Sequence, residues 1–299
     1  QKEIVMASKK SIVAKMSVLS FVITLAVFIG ISGNMSIAQG DEVPDLCGDN
    51  EEFTTDFLTD RCRFRASGYN PYFILFPGFQ SVLETPEGEE EREKAVVTVL
   101  RNTKRIRFDG RRINTRVVEE RALEWEEGEG GEEGDWKTVE ISLNWFAICN
   151  KTNDVFYFGE WSRDCPDGFD ENDVCQGGES TAGSWEAGVD GAQPGIMMPG
   201  TFLLGAKYFQ EVAPPDAVDR GQHVAMGEDL EVPAGNFEDC VVVIDTNPNA
   251  GECCPEFPDG EWEDACDVKI YCSGIGLVQD QDLELVSFGF LKRDKADKK

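Results

Sequence analysis

Carboxylates crowd two short loops of this sequence, residues 165–175 and 254–267. Each loop begins with Cys-Pro, contains an Asp-Gly turn and has a second cysteine near its end. Calcium takes about six to eight oxygen ligands at flexible geometry, and closely spaced carboxylates around a glycine turn supply such oxygens. The pattern therefore leaves two interpretations, a weak calcium site or a disulfide-stapled acidic turn without an ion. The candidate ligands are Asp167, Asp170, Asp173, Asp259, Glu261, Asp264 and Asp267.

Residues suited to acid–base or nucleophilic catalysis are few. The single histidine, His223, lies where Val224 and Met226 alternate with polar neighbours, which is typical of a surface or half-buried strand residue. The sequence contains no GxSxG, HExxH, phosphate-binding or dinucleotide-binding motif. Carboxylates are so numerous that a glycosidase-like use of Glu140 or Glu160 has no specific support. We therefore predict that the protein is not an enzyme.

Aromatic and methionine side chains instead indicate a binding surface. Met197 and Met198 lie beside a glycine-rich loop, where flexible side chains would form an adaptable mouth. We expect Trp145, Phe156 and Phe158 to face one side of a sheet. For each residue the alternative interpretation is ordinary core packing, which is the default for apolar side chains. The proposed ligand-lining residues are Trp145, Phe156, Phe158, Met197, Met198, Phe202 and Tyr208.

Cysteine usage indicates an oxidising compartment. The chain has ten cysteines, an even number, and with one histidine and no CxxC pair a zinc site is disfavoured. Short loops favour the disulfides Cys165–Cys175 and Cys47–Cys62, with pairing of Cys47 and Cys62 elsewhere as the alternative. Cys240 and Cys272 lie near the two ends of a predicted hairpin, which favours Cys240–Cys272 as a cross-strand disulfide. Spacing leaves the partners of the other four open. These four are Cys149, Cys253, Cys254 and Cys266.

The segments that must position these residues have the pattern of β-strands. Apolar and polar residues alternate between turn signals, of which Asp109-Gly110 is the clearest. The Gly/Pro-rich stretch 184–212 predicts a crossing between two halves of one fold, and 206–212 within it predicts one strand. The acidic, glycine-rich stretch 119–135 predicts a solvated loop. We therefore predict an all-β fold, a large antiparallel sheet with acidic and disulfide-stapled loop insertions.

The charge of the chain restricts its partners. The 299 residues carry a formal net charge of −29. Nucleic acids and anionic membranes are disfavoured as partners, because their phosphates would be repelled. The balance is compatible with divalent cations, with a cationic partner or with a saline habitat.

The first residues predict export from the cytoplasm. A basic stretch after Met6, an apolar run at 18–31 and small residues up to Ala38 are typical of a cleaved signal peptide, with an uncleaved anchor as the alternative. We expect a secreted or periplasmic protein without a membrane span after processing. The expected organisation is upstream residues and a signal peptide at 1–38, a disulfide-looped acidic lead-in at 39–69, a single β domain at 70–291 and a frayed tail at 292–299.

Four motifs together resemble a family of secreted bacterial proteins of unknown function. They are YFGEW at 157–161, GVDGAQPGI at 188–196, PAGNF at 233–237 and GIGLV at 274–278. The half of the chain with the last two motifs is similar to periplasmic half-barrels of the lipoprotein-carrier type, which implies an incomplete barrel with an apolar concavity. The sequences at 167–175 and 259–267 resemble the second half of a thrombospondin type 3 calcium repeat, without its leading ligands.

These patterns and resemblances give two functional hypotheses. The first is a secreted, non-enzymatic β-domain protein that binds an apolar or amphipathic small molecule on the concave face of its sheet. The alternative is an acidic, calcium-dependent structural or matrix component of the cell exterior. No cofactor is certain, and calcium is the one candidate.

Overall fold

The structure is a computed structural model that describes residues 52–89, 91–128, 134–215, 217–248 and 267–292. Within these ranges fifteen strands form one antiparallel sheet that is not closed into a barrel, so the predicted all-β class and incomplete barrel are confirmed. A 3-10 turn spans Thr59–Arg61, and no helix in the described ranges is long and apolar enough to cross a membrane. The strands are β1 (Phe64–Arg65), β2 (Phe79–Glu84), β3 (Glu93–Phe108), β4 (Arg111–Glu126), β5 (Asp135–Cys149), β6 (Val155–Asp164), β7 (Trp185–Glu186), β8 (Gln193–Met198), β9 (Lys207–Phe209), β10 (Glu211–Val212), β11 (Arg220–Val232), β12 (Gly235–Thr246), β13 (Val268–Cys272), β14 (Gly276–Asp280) and β15 (Leu283–Phe290).

The sheet consists of two halves. The first half has the order β10-β8-β6-β5-β4-β3-β2 and the second has the order β15-β14-β13-β12-β11-β9. β2 and β15 join the halves, with Phe79 opposite Phe290. Outside this path β1 pairs with β5 and β7 pairs with β6. The predicted crossing at 184–212 is confirmed, because the strands before it build the first half and the strands after it build the second.

The two edges of the sheet are consecutive pieces of the chain. β10 pairs with β8 and β9 pairs with β11, and only Gln210 separates β9 from β10. The N–H groups of Gln210 and Glu211 both donate to the carbonyl of Asp219, at 2.8 and 3.2 Å. The prediction of one strand at 206–212 is therefore wrong, because the alternating pattern continues while the chain changes its neighbours. We call residues 207–212 the seam.

β3 and β4 form a long hairpin closed by the predicted Asp109-Gly110 turn. Both turn residues have positive φ, 49° and 69°, as a two-residue type I′ turn requires. β4 continues to Glu126, so the predicted solvated loop at 119–135 is too long. Glu120 is buried in this stretch, between the buried side chains of Val118 and Ala122 at alternate positions. The many charged residues of this stretch obscured the alternation of buried and exposed positions that is typical of a β-strand.

The segment 52–65 lies against one face of the sheet. β1 places Phe64 opposite Cys149, and Cys62 forms a disulfide with Cys149. The predicted Cys47–Cys62 pair is therefore wrong, and Cys47 itself lies outside the described residues. Short spacing favoured Cys47, whereas the pairing of β1 with β5 brings together two cysteines that are 87 residues apart.

The other two predicted disulfides are confirmed. Cys165 and Cys175 are bonded across a sequence separation of 10 residues. Cys240 and Cys272 are bonded at directly opposite positions of β12 and β13, with a Cα–Cα distance of 4.1 Å. Both bonds fasten short-range structure, as their spacing predicted.

Candidate functional site

A cavity opens between the two halves of the sheet. Its walls come from β2, β3, β4 and β5 on one side and from β13, β14 and the turn between them on the other. It contains about 660 Å³ of atom-free space, including the part that opens to solvent. Most of the wall is apolar. Wall residues include Phe79, Val97, Val99, Phe146, Met197 and Leu277.

The segment 70–77 covers one side of this cavity, where Tyr72 and Phe73 contribute to the wall. The buried side chain of Asn70 fixes the segment, because its Oδ1 accepts the N–H groups of Tyr72 and Phe73 at 2.9 and 3.0 Å. Its Nδ2 group lies 2.9, 3.3 and 3.1 Å from the carbonyl oxygens of Asn153, Met198 and Pro199. One amide thus ties the cover to the first half of the sheet.

Glu120 is the carboxylic acid of the cavity wall. Its residue is only 6% exposed, and no described residue donates a hydrogen bond to its carboxyl group. Burial raises the pKa of Glu120 well above its usual value. Glu140 and Asp280 raise this pKa further, while Lys269 acts in the opposite direction. Glu120 therefore stays protonated well above the pH at which an exposed glutamate ionises.

Four further residues with a polar side-chain group line the cavity: Tyr72, Ser81, Asn144 and Tyr271. Asn144 is oriented by the hydroxyl of Tyr157, which donates to Asn144 Oδ1. The Tyr157 ring in turn stacks on Phe146 at a centroid distance of 4.7 Å. The position of the Asn144 side chain in the cavity wall therefore depends on the packing of β5 against β6.

Besides Glu120, the fold buries a group of seven other carboxyls, and three of them lie around one lysine. Lys269 Nζ lies 2.6 Å from Asp280 Oδ1, 3.2 Å from Asp267 Oδ1 and 3.9 Å from Asp245 Oδ2. Burial alone would lower the pKa of Lys269, but these three carboxylates raise it well above its usual value. Burial raises the pKa of Asp280 to about 6 and that of Asp245 to about 8, against the effect of Lys269. The buried acidic group comprises Glu140, Glu160, Glu211, Asp219, Asp245, Asp267 and Asp280.

The buried acidic group extends to the seam. Glu211 Oε1 accepts a hydrogen bond of 3.1 Å from the indole N–H of Trp185. Within the described ranges no group forms a hydrogen bond of normal geometry with the carboxyl oxygens of Glu160 and Asp219. Glu160 contacts Tyr157 and Asp219 contacts Glu211, but neither contact has the geometry of a normal hydrogen bond. The pKa of each of these acids, Glu160, Glu211 and Asp219, is raised well above its usual value. Burial has the largest effect and the neighbouring carboxyls have a smaller one. In the described part of the chain, no three His, Cys, Asp or Glu side chains are arranged to hold a metal ion.

His223 is buried rather than exposed or half-buried. Its ring stacks on Phe202 at 3.7 Å, its Nδ1 lies 3.1 Å from the carbonyl oxygen of Leu203, and its Nε2 lies 2.9 Å from the hydroxyl of Tyr208. A carbonyl can only accept, so Nδ1 carries the proton and Nε2 accepts from Tyr208. Burial lowers the pKa of His223 to about 4. The sequence pattern missed this burial because the neighbours of His223 on β11 are partly exposed.

Of the seven predicted lining residues, Met197 lies in the cavity wall. Trp145, Phe156 and Phe158 belong to the opposite face of β5 and β6, where Phe64 contacts both phenylalanines edge-on at 5.1 Å. The other three are buried in the main core or beside His223: Met198, Phe202 and Tyr208. These six residues therefore do not line this cavity. The alternation of residues along a strand shows which side chains share a face of the sheet. It does not show which face is covered, because that depends on where the segment 52–65 packs.

Most of the candidate calcium ligands either accept hydrogen bonds or form ion pairs within the protein, or lie outside the described residues. Asp170 Oδ1 accepts the N–H groups of Asn172 and Val174 at 2.8 and 3.0 Å, and both oxygens of Asp173 bind Arg121, at 2.7 and 2.9 Å. Asp267 contacts Lys269, and Asp167 lies in the same disulfide-closed loop as Asp170. Three candidates fall outside the described residues: Asp259, Glu261 and Asp264. Calcium binding stays a prediction.

Two residues of the site were missed by the sequence analysis. Asn70 was not singled out, because no local pattern reveals its distant partners. Glu120 was assigned to the acidic loop. The apolar side chains of Val118 and Ala122, spaced two residues to either side, carry the signal that it faces a core.

Comparisons with family models, with curated proteins and with solved structures gave no match to this chain. The resemblance to a secreted bacterial family and to lipoprotein-carrier half-barrels therefore stays a prediction based on the motifs alone.

Proposed function

We propose that this protein is a non-enzymatic binding protein whose cavity takes a small amphipathic molecule. The observation that carries the proposal is a largely apolar cavity between the two halves of the sheet with a few polar groups at fixed positions. Small-molecule sites in proteins have this character, an apolar lining with a small number of placed polar groups. The ligand class is the one predicted from sequence, although most of its lining residues differ.

The wall has the chemistry to bind an apolar body. Aromatic, aliphatic and thioether groups from both halves of the sheet surround the space, and Met197 can adapt its shape to an occupant. Burial of apolar surface stabilises a complex by roughly 25 cal/mol per Å². An alkyl chain that enters the cavity would gain by this burial, while its polar end would lie near the polar groups of the wall.

We also propose that the protein is secreted or periplasmic. Three disulfides within the described residues support an oxidising compartment. A signal peptide at 1–38 is part of the same proposal and falls outside the described residues. The disulfides are the independent support, because they do not depend on the first residues.

A calcium-dependent structural or matrix role is the alternative proposal, and it has less support. Asp170 and Asp173 already accept internal donors, so the loop at 165–175 offers few free oxygens. Its remaining support is the acidity of the chain and the carboxylates of the second loop.

Titration calorimetry with 1-decanol tests the binding proposal. Val97→Phe should weaken decanol binding by about tenfold or more, because the larger ring would fill cavity space. Val96→Phe is the matched control, since Val96 is the preceding residue of β3 and points to the other face of the sheet. Absence of decanol binding to the wild-type protein, or equal binding to both variants, would contradict the proposal.

A further inference from the structure

We propose that the cavity selects an occupant with a protonated amine head group, with the Glu120 carboxylate as its counterion. This inference rests on the proposed function and names the class of its ligand. Glu120 is an ionisable side chain of the cavity wall, it is nine-tenths buried, and no described residue satisfies its carboxyl group. A buried carboxyl without a donor gains most from a ligand that supplies several.

The groups that face Glu120 favour a cation over an anion. Glu140 on β5 and Asp280 on β14 act electrostatically on Glu120, and Glu120 acts in the same way on Glu160 of β6. Lys269 on β13 is the cation in reach, but Asp280 and Asp267 already surround its amine. Tyr157 and Tyr271 add hydroxyls without positive charge. The described groups that act on Glu120 therefore offer no free cation to a carboxylate or phosphate head group, whereas Glu120 can ionise beside an ammonium group.

Other polar groups of the wall do not replace Glu120 as the recognition group. The carbonyl oxygen of the Asn144 side chain is already engaged by Tyr157. The remaining amide hydrogens of Asn144 and the hydroxyl of Ser81 can contact an uncharged or anionic head group, but they provide no countercharge. The carboxyl of Glu120 thus decides between an amine and an alcohol of the same length.

Binding of an amine would be linked to proton release. Burial holds the pKa of Glu120 well above its usual value in the free protein, so the group carries a proton beyond the normal range. An ammonium group beside it favours the ionised form. The protonated acid then loses its proton to buffer and the complex holds an ammonium–carboxylate pair, with release of up to about one proton per ligand.

The test compares three probes of one chain length, decylamine, 1-decanol and decanoate, by titration calorimetry at pH 7. Each titration is run in two buffers of different ionisation enthalpy. We expect decylamine to bind about tenfold or more tightly than decanol, decanoate to bind most weakly, and only decylamine to show a heat that depends on the buffer.

The variant Glu120→Gln tests whether Glu120 is responsible for the preference for decylamine over decanol. This variant should bind decylamine no more tightly than decanol, should lose the buffer-dependent heat and should keep its affinity for decanol. Glu119→Gln is the matched control, because Glu119 is adjacent on β4 but pairs with Arg121 on the other face. Thermal unfolding of both variants checks that they are folded.

The outcomes separate this inference from the proposed function. Equal binding of decylamine and decanol to the wild-type protein, or preference for decanoate, would overturn the amine assignment while the cavity remains a binding site. An amine preference that survives Glu120→Gln would remove Glu120 as the counterion. Failure of all three probes to bind would overturn both.

Discussion

Asp245 Oδ1 accepts a hydrogen bond of 2.9 Å from Gln210 Nε2, which joins β12 to the residue between the two edge strands. The same carboxyl has its other oxygen 3.9 Å from Lys269 Nζ. A titratable side chain therefore lies at the point where the two edges of the sheet meet. The stability of the seam therefore depends on whether Asp245 is protonated.

The stability of the fold should decrease as the pH rises from about 6.5 to 9. Burial raises the pKa of Asp245 from 3.8 to about 8, so its stabilising contribution is full below about pH 4 and is lost as the pH rises through about 8. His223 does not offset this loss. Its pKa is lowered from 6.5 to about 4, so its contribution is present above pH 6.5 and is lost only as the pH falls. We expect the melting temperature to fall by about 5 °C or more across this range at constant ionic strength.

Asp245→Asn should reduce this pH dependence, because the amide keeps an acceptor for Gln210 and cannot ionise. The slope that remains belongs to the other buried acids with raised pKa values, Glu120, Glu160, Glu211 and Asp219. Asp190→Asn, at an exposed loop position, should leave the slope unchanged. A wild-type melting temperature that is constant or rises between pH 6.5 and 9 would show that Asp245 is not protonated in the fold.

Asn70→Ala should destabilise the cover of the cavity. The substitution removes two acceptor contacts to backbone N–H groups and the donors that face three carbonyls. We expect the free energy of unfolding in urea to decrease by about 2–3 kcal/mol and decanol binding to weaken. Asn172→Ala, in an exposed turn, is the control. Unchanged stability of Asn70→Ala would mean that the segment 70–77 is held by its aromatic side chains alone.

The disulfide between Cys62 and Cys149 predicts a specific cross-linked peptide. Mass spectrometry of an unreduced digest should find these two cysteines joined, and a peptide that joins Cys47 to Cys62 would refute the pairing. Replacing both Cys62 and Cys149 by serine should lower the free energy of unfolding by about 2–4 kcal/mol. The segment 52–65 should then become sensitive to proteolysis, because only its strand pairing and the contacts of Phe64 still attach it.

Calcium should not stabilise the loop at 165–175 specifically. Asp170 and Asp173 would have to give up their internal donors to bind an ion. We therefore expect the double substitution Asp170→Asn and Asp173→Asn to leave unchanged any rise in melting temperature caused by millimolar calcium. A rise that exceeds the effect of sodium at equal ionic strength and disappears in this variant would support the alternative, calcium-dependent function.

The sequence predicted those features that depend on local pattern. The alternation of apolar and polar residues gave the all-β class, and Asp109-Gly110 gave the turn of the longest hairpin, because both depend on backbone geometry over a few residues. The Cys165–Cys175 bond followed from short spacing, and the Cys240–Cys272 bond followed from the predicted hairpin that places both cysteines on neighbouring strands.

Features set by distant contacts could not be predicted. Alternation places Trp145 and Phe146 on opposite faces, but only the position of the segment 52–65 decides which face is covered and which borders the cavity. Glu120 belongs to a charged run of the kind that is normally solvated, and its burial depends on the strands of the second half. The partner of Cys62 depends likewise on the pairing of β1 with β5.

The ladder between β2 and β15 makes the cavity depend on strands that are far apart in the chain. Among the described strands β2 is made early and β15 after the others, so β2 keeps an unpaired edge while the chain between them is produced. Tyr271 and Leu277, which supply the second wall, are also translated later than the first wall. A nascent chain that lacks β13, β14 and β15 thus has one wall of the cavity without the other, and occupation of the cavity requires both halves of the sheet.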